Sequence, residues 1–141
     1  MMNAMMSVNG VAVFVVTLIG FLFGWLWHSP VLFAKPWMAE LKISEEKAKA
    51  MPGKDIAAMM IKGFLMTLVS TTGLAILFSV IGTAGGMGGL KMGAFVGLMI
   101  VGSRVINSGI WEQRSCKLNA INVGHEVGLY ALQGAILGAW N

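Results

Sequence analysis

Charge is what this sequence has least of. Only 11% of its 141 residues are Asp, Glu, Lys or Arg, where a soluble domain carries about a quarter. That scarcity excludes an ordinary water-exposed surface. It also excludes intrinsic disorder, which needs low hydrophobicity together with high net charge. Cysteine is nearly missing: Cys116 stands alone, so it has no partner for an internal disulfide, and no CxxC or clustered His/Cys pattern marks a structural metal. Basic runs interleaved with aromatics are lacking too, which argues against nucleic acid as a partner despite a net charge of +4. What the chain has is hydrocarbon: 57% of it is hydrophobic and the mean hydropathy is +0.78. The composition predicts an all-α, polytopic membrane protein forming one domain over residues 1–141. Four transmembrane helices of about 20 residues would use roughly 80 positions and leave one sizeable loop.

Residues 1–34 contain no Asp, Glu, Lys or Arg, and a first helix is expected over about 8–28. A cleaved signal peptide is the competing reading. It needs a basic leader, a shorter apolar core and small residues at the cut; residues 1–8 carry no basic side chain and Trp25-Leu26-Trp27-His28 is a poor cleavage site. A second helix fits 56–82, with Asp55 as its N-cap and Lys62 in the interfacial turn, and the glycine-rich run 82–89 ends it. The third fits 90–111 and the fourth 118–140, interrupted by Arg104 and by His125-Glu126. The connection 29–55 has structure of its own. Ser29-Pro30 closes the first helix, and Pro36 suits the first position of a short one. Phe33, Trp37 and Leu41 follow at helical spacing, as in an amphipathic segment lying in the membrane interface. Ser44, followed by Glu45 and Glu46, reads as another helix start.

Orientation follows from the basic residues. Lys35, Lys42, Lys47, Lys49, Lys54 and Lys62 flank the first connection and Arg114 and Lys117 the third, whereas the other side has only Lys91. The positive-inside rule then places the 29–55 and 112–117 loops in the cytoplasm and both termini outside, in a bacterial inner (plasma) membrane.

Polar groups inside the spans are the candidate functional residues. Arg104 lies eleven residues before Ser115 and Glu126 eleven after it (115 − 104 and 126 − 115), so an antiparallel hairpin puts them at one depth. An unpaired Arg at the centre of a span costs roughly 2.5–3.5 kcal/mol on insertion scales, and a pair is the expected remedy. Asn107 and Asn122 are nearly level with them, and His125 sits about 100° around the helix from Glu126. The cluster Arg104, Asn107, Asn122, His125 and Glu126 reads either as mutual satisfaction of buried groups or as a site for an anion, a proton or a polar path. A third reading leaves Arg104 reaching toward the cytoplasmic surface without a partner.

His28 reads as an interfacial residue beside Trp25 and Trp27 in an aromatic belt, although convergence with His125 and Glu126 on a metal is conceivable chemistry. Thr67, Ser70, Thr71 and Thr72 are expected to bond back to their own helix. The 12 methionines are dispersed, as adaptable packing rather than a metal tract, and no cofactor motif is present. Four small-residue pairs, Gly20 and Gly24, Gly93 and Gly97, Gly124 and Gly128, and Gly134 and Gly138, each occupy one helical face and predict close helix contacts, some of them between subunits of a homo-oligomer.

The segment Gly24-Trp25-Leu26-Trp27-His28-Ser29-Pro30-Val31-Leu32-Phe33-Ala34-Lys35-Pro36-Trp37-Met38 resembles the signature of an uncharacterised membrane family, the domain-of-unknown-function family DUF1761. The resemblance rests on an aromatic-Ser-Pro ending to the first helix, carried by Trp27, His28, Ser29 and Pro30, and on the Phe33-x-x-x-Trp37 segment. It implies a first helix followed by three more, and Tyr is common in the family where His28 stands. It implies no substrate.

The chain is therefore expected to be a small oligomeric integral membrane protein with a structural or accessory role, in contact with lipid and with copies of itself or another membrane protein. The alternative is a small-solute or ion channel or transporter using Arg104 and Glu126. An enzyme is not expected, because no nucleophile–base or metal arrangement is recognisable.

Overall fold

The computed structural model describes residues 8–140. Residues 1–7, on which most of the signal-peptide argument rests, and Asn141 lie outside the described residues. The described chain is all-helical, without a strand: α1 (Gly10–Trp27), α2 (Ala34–Glu40), α3 (Glu45–Lys49), α4 (Gly53–Ile81), α5 (Gly86–Trp111) and α6 (Cys116–Trp140).

Local chemistry sets most boundaries. The Asn9 side chain accepts from the Val11 and Ala12 amides at 3.0 and 3.1 Å and so starts α1. Ser44 Oγ accepts from the Lys47 amide and starts α3. Two expected starts are displaced. Pro52, not Asp55, holds the capping position of α4, and Asp55 falls inside the first turn, near the positive end of the helix dipole. Helix α2 begins at Ala34, so Pro36 is its third residue; proline is tolerated there because the first four amides of a helix have no intrahelical acceptor. Gly82 at φ +71° and Gly85 at φ +77° turn the chain between α4 and α5 in conformations that side chains with a Cβ rarely adopt.

Three helices, α1, α4 and α5, are long and apolar enough to cross a membrane. Four were expected, and α6 is the correction. It has 25 residues but carries Asn119, Asn122, His125, Glu126 and Gln133, too many polar groups for a helix surrounded by lipid. Its position explains how it accommodates them. No residue of 121–138 is exposed, because α6 runs against both α5 and α1. The outward faces of the other helices are the reverse: Val11, Met66 and Val69 are each about two-thirds exposed. Between them, Val13, Val16, Leu74, Ala75, Phe78, Val96 and Leu137 form the apolar core.

Candidate functional site

Two glycine seams hold α6. Against α5 the backbones nearly touch: a Cβ on Gly89 would stand 2.0 Å from the Gly134 carbonyl oxygen, and one on Gly93 would stand 2.0 Å from that of Tyr130. Gly97 faces the Glu126 carbonyl, Gly134 faces Gly89, and Gly138 faces Gly85. Against α1, Gly20 lies on Gln133 and Leu129, Gly24 on His125, Gly124 on Trp27 and Gly128 on Phe23. All eight glycines singled out by their spacing thus meet neighbours within this one chain, and none of these contacts requires a second subunit.

The α5 seam has a break in its rhythm. Its facing positions run Gly89, Gly93, Gly97 and then Gly102 and Gly109, steps of four, four, five and seven. The step of five coincides with a π-helical turn at Val96–Gly102, which adds one residue to the helix. Without it, the face that carries Gly97 would return at position 104, two turns on. With it, Val105 takes that place and lines a pocket with Glu126, while Arg104 is turned to the exposed surface. The expected Arg104–Glu126 pair does not form, because Arg104 is turned outward and because Gly97, seven residues earlier (104 − 97), is what lies level with Glu126; among the described residues Arg104 has no ion pair or hydrogen bond, and Asn107 is exposed too.

Glu126 has a different neighbour. Its Oε1 lies 3.1 Å from His125 Nδ1. The His125 ring stacks on Phe23 at 5.9 Å and lies 5.1 Å from the ring of His28. His28 follows the last residue of α1, its Nδ1 is 2.9 Å from the Gly24 carbonyl, and its ring meets Trp37 edge-on at 5.1 Å. Burial, the strongest influence, pulls the His28 imidazole below its ordinary pKa; the Gly24 carbonyl opposes this, His125 adds to the fall, and Glu126 opposes it. His28, Trp37, Asn122, His125 and Glu126 line a cavity of about 520 Å³ that Glu112 and Arg114 also border. Arg114 donates from Nε and Nη2 to Glu112 Oε2, and Ser108 donates to Oε1. Ser108 first and then Arg114 hold the Glu112 carboxyl below the usual carboxylate range.

The segment 27–37 builds the outer wall. Trp27 Nε1 donates to the Ile121 carbonyl at 3.2 Å, and Phe33 packs on the Trp27 ring at 4.5 Å. The buried Ser29 accepts at its carbonyl from the Leu32 and Ala34 amides, which tightens the corner after α1, and Pro30 faces outward. At the far end of α2, Glu40 accepts from Ser115 Oγ and pairs with Lys117 at 3.8 Å, clamping the corner onto the start of α6. A family model described as "Protein of unknown function (DUF1761)" matches residues 11–138. The chain belongs to that family. No curated protein and no solved structure matches it.

In this DUF1761 member the signature segment is thus the piece that roofs the pocket. The structure brings together His125, Glu126 and Asn122 with His28 and Trp37, and it separates Arg104 and Asn107 from them. No three His, Cys, Asp or Glu side chains among the described residues are arranged to hold a metal ion. One buried polar contact lay outside the sequence reading: Gln133 Nε2 donates to Thr71 Oγ1 at 2.7 Å across α6 and α4. Thr71 itself bonds back to Thr67, and Thr67, Ser70 and Thr72 bond back along α4 in the same way. Its signal was available, since Gln133 is the sole Gln in α6 and falls on the stripe of Asn122 and Glu126, but the sequence does not name its partner helix.

Proposed function

We propose that this protein is a non-catalytic integral membrane component with a structural or accessory role, with α1, α4 and α5 in contact with lipid and α6 sheltered among them. The observation that carries this is the inverted surface: large apolar side chains face outward along three helices while the polar helix is enclosed. Water does not sustain so extensive an exposed apolar shell on a monomer; lipid does. The close glycine seams support a rigid bundle, and its outer faces are free to meet lipid or partner proteins. The basic residues support an orientation with the Lys-rich connection and the α5–α6 turn in the cytoplasm of a plasma membrane.

The test is resistance to alkaline extraction combined with sided labelling. Cys116, exposed at the start of α6, should react with an impermeant maleimide only after the membrane is opened. In a Cys116→Ser background, Ala84→Cys in the opposite turn should react without opening. Extraction by alkali alone, or labelling with the opposite sidedness, rejects the proposal.

A second reading, passage of a small solute or ion, is favoured by the enclosed polar stripe Asn122, Glu126 and Gln133 running inward from the pocket. Liposome flux lost in Glu126→Gln and retained in Arg104→Gln would replace the accessory role with transport.

A further inference from the structure

We propose that the pocket beneath α2 binds an organic ammonium group, free or as a lipid headgroup, with Glu126 as counter-charge and Trp37 as aromatic wall. The inference goes beyond the accessory role and does not depend on it.

The charges around the pocket decide the sign of the ligand. Its lining holds two carboxylates, Glu112 and Glu126, against one guanidinium, Arg114. That guanidinium is already committed to Glu112, and Lys117 nearby is committed to Glu40. The π turn has removed Arg104. Among the described residues no Lys or Arg pairs with Glu126, and the one guanidinium that shares its cavity, Arg114, is bonded to Glu112.

The neighbour of Glu126 is His125, whose Nδ1 lies 3.1 Å from Glu126 Oε1 and whose Nε2 is buried against Gly24 with no hydrogen-bond partner. Among the described residues no three His, Cys, Asp or Glu side chains converge here as a metal ion would require. An ammonium group suits what is left: a carboxylate oxygen, the Asn122 side chain, and the rings of Trp37 and His28 on the wall. Aromatic faces attract such cations, and about 520 Å³ lies within the range of small-ligand sites.

The experiment uses the purified full chain in detergent, titrated by calorimetry with choline and with ethanolamine, and in nanodiscs of phosphatidylglycerol with or without phosphatidylethanolamine, read by native mass spectrometry. Saturable amine binding is expected, weakened about tenfold in Glu126→Gln, weakened less in Trp37→Leu, and unchanged in Arg104→Gln. Trp37 lies on the short, half-exposed α2, so its variant carries the test if Glu126→Gln does not fold. Retained phosphatidylethanolamine that is lost with the same substitutions identifies the headgroup as the source; binding of the free amines alone identifies a soluble ligand. No saturable binding in either format, an affinity indifferent to both Glu126→Gln and Trp37→Leu, or zinc chloride binding in place of the amines overturns the proposal.

Discussion

Alanine at position 93 is, with alanine at position 89, among the most demanding perturbations of this bundle. A Cβ there would stand 2.0 Å from the Tyr130 carbonyl oxygen and 2.8 Å from its carbon. Real Cβ contacts essentially never fall under 3.0 Å, so the two helices must part by about 1 Å or more at that level. Both obstacles are backbone, and no side-chain rotation relieves them. Parting also loosens the neighbouring contacts of Gly89 with Gly134 and of Gly97 with Glu126, since all three lie on one seam. Overpacking typically costs about 1–3 kcal/mol, more where the backbone cannot move, and the loosened seam places Gly93→Ala at the upper end. For a chain of this size that is a fall of about 10 °C in Tm. The control is Gly73→Ala in the interior of α4, where a Cβ meets nothing within 4 Å; removing a mid-helix glycine there should be neutral or gain about 0.5–1 kcal/mol. Thermal unfolding in one detergent, followed by circular dichroism, compares the two. Gly93→Ala melting with wild type, or Gly73→Ala falling as far, refutes the close α5–α6 approach.

Arg104→Gln should leave the unfolding free energy within about 0.5 kcal/mol of wild type, because the guanidinium has no partner among the described residues; a large loss would mean that Arg104 is paired after all. Thr71→Val should cost about 1–3 kcal/mol by stranding the Gln133 amide, and adding Gln133→Leu should recover most of it; a double variant no better than the single one counts against the bond. The Glu112 carboxyl is held below its ordinary value by Ser108 and Arg114, so its bonds steady the α5–α6 turn above the normal carboxylate range and are lost as pH falls through the lowered value. Hydrogen exchange of the Gln113 and Arg114 amides should therefore show extra opening on acidification, and Arg114→Gln should blunt that change; identical pH profiles would contradict it.

Hydropathy, capping residues and turn glycines are local properties, and they determined by themselves an all-helical chain, the order of its long helices, the short helices of the first connection and the glycine turn before α5. The eight glycines announced close packing for the same reason, since two small residues four apart share a face on any α-helix. Which partner each face meets is not local. A hydropathy profile judges a helix as if lipid surrounded it, and α6 departs from that because α1 and α5 enclose it. Depth along the hairpin was not legible from equal counting about Ser115: that counting put Arg104 level with Glu126, whereas Gly97, seven residues earlier (104 − 97), lies against Glu126. Rotation was not legible either: one extra residue in the π turn swings everything after Gly102 by about 100°. Register and rotation together send Arg104 outward, put Val105 on the pocket wall, and leave Glu126 to His125 in a pocket roofed by Trp37. Only the tertiary structure decided this, because the step of five from Gly97 to Gly102 is a break in rhythm only once α6 shows that both glycines face it.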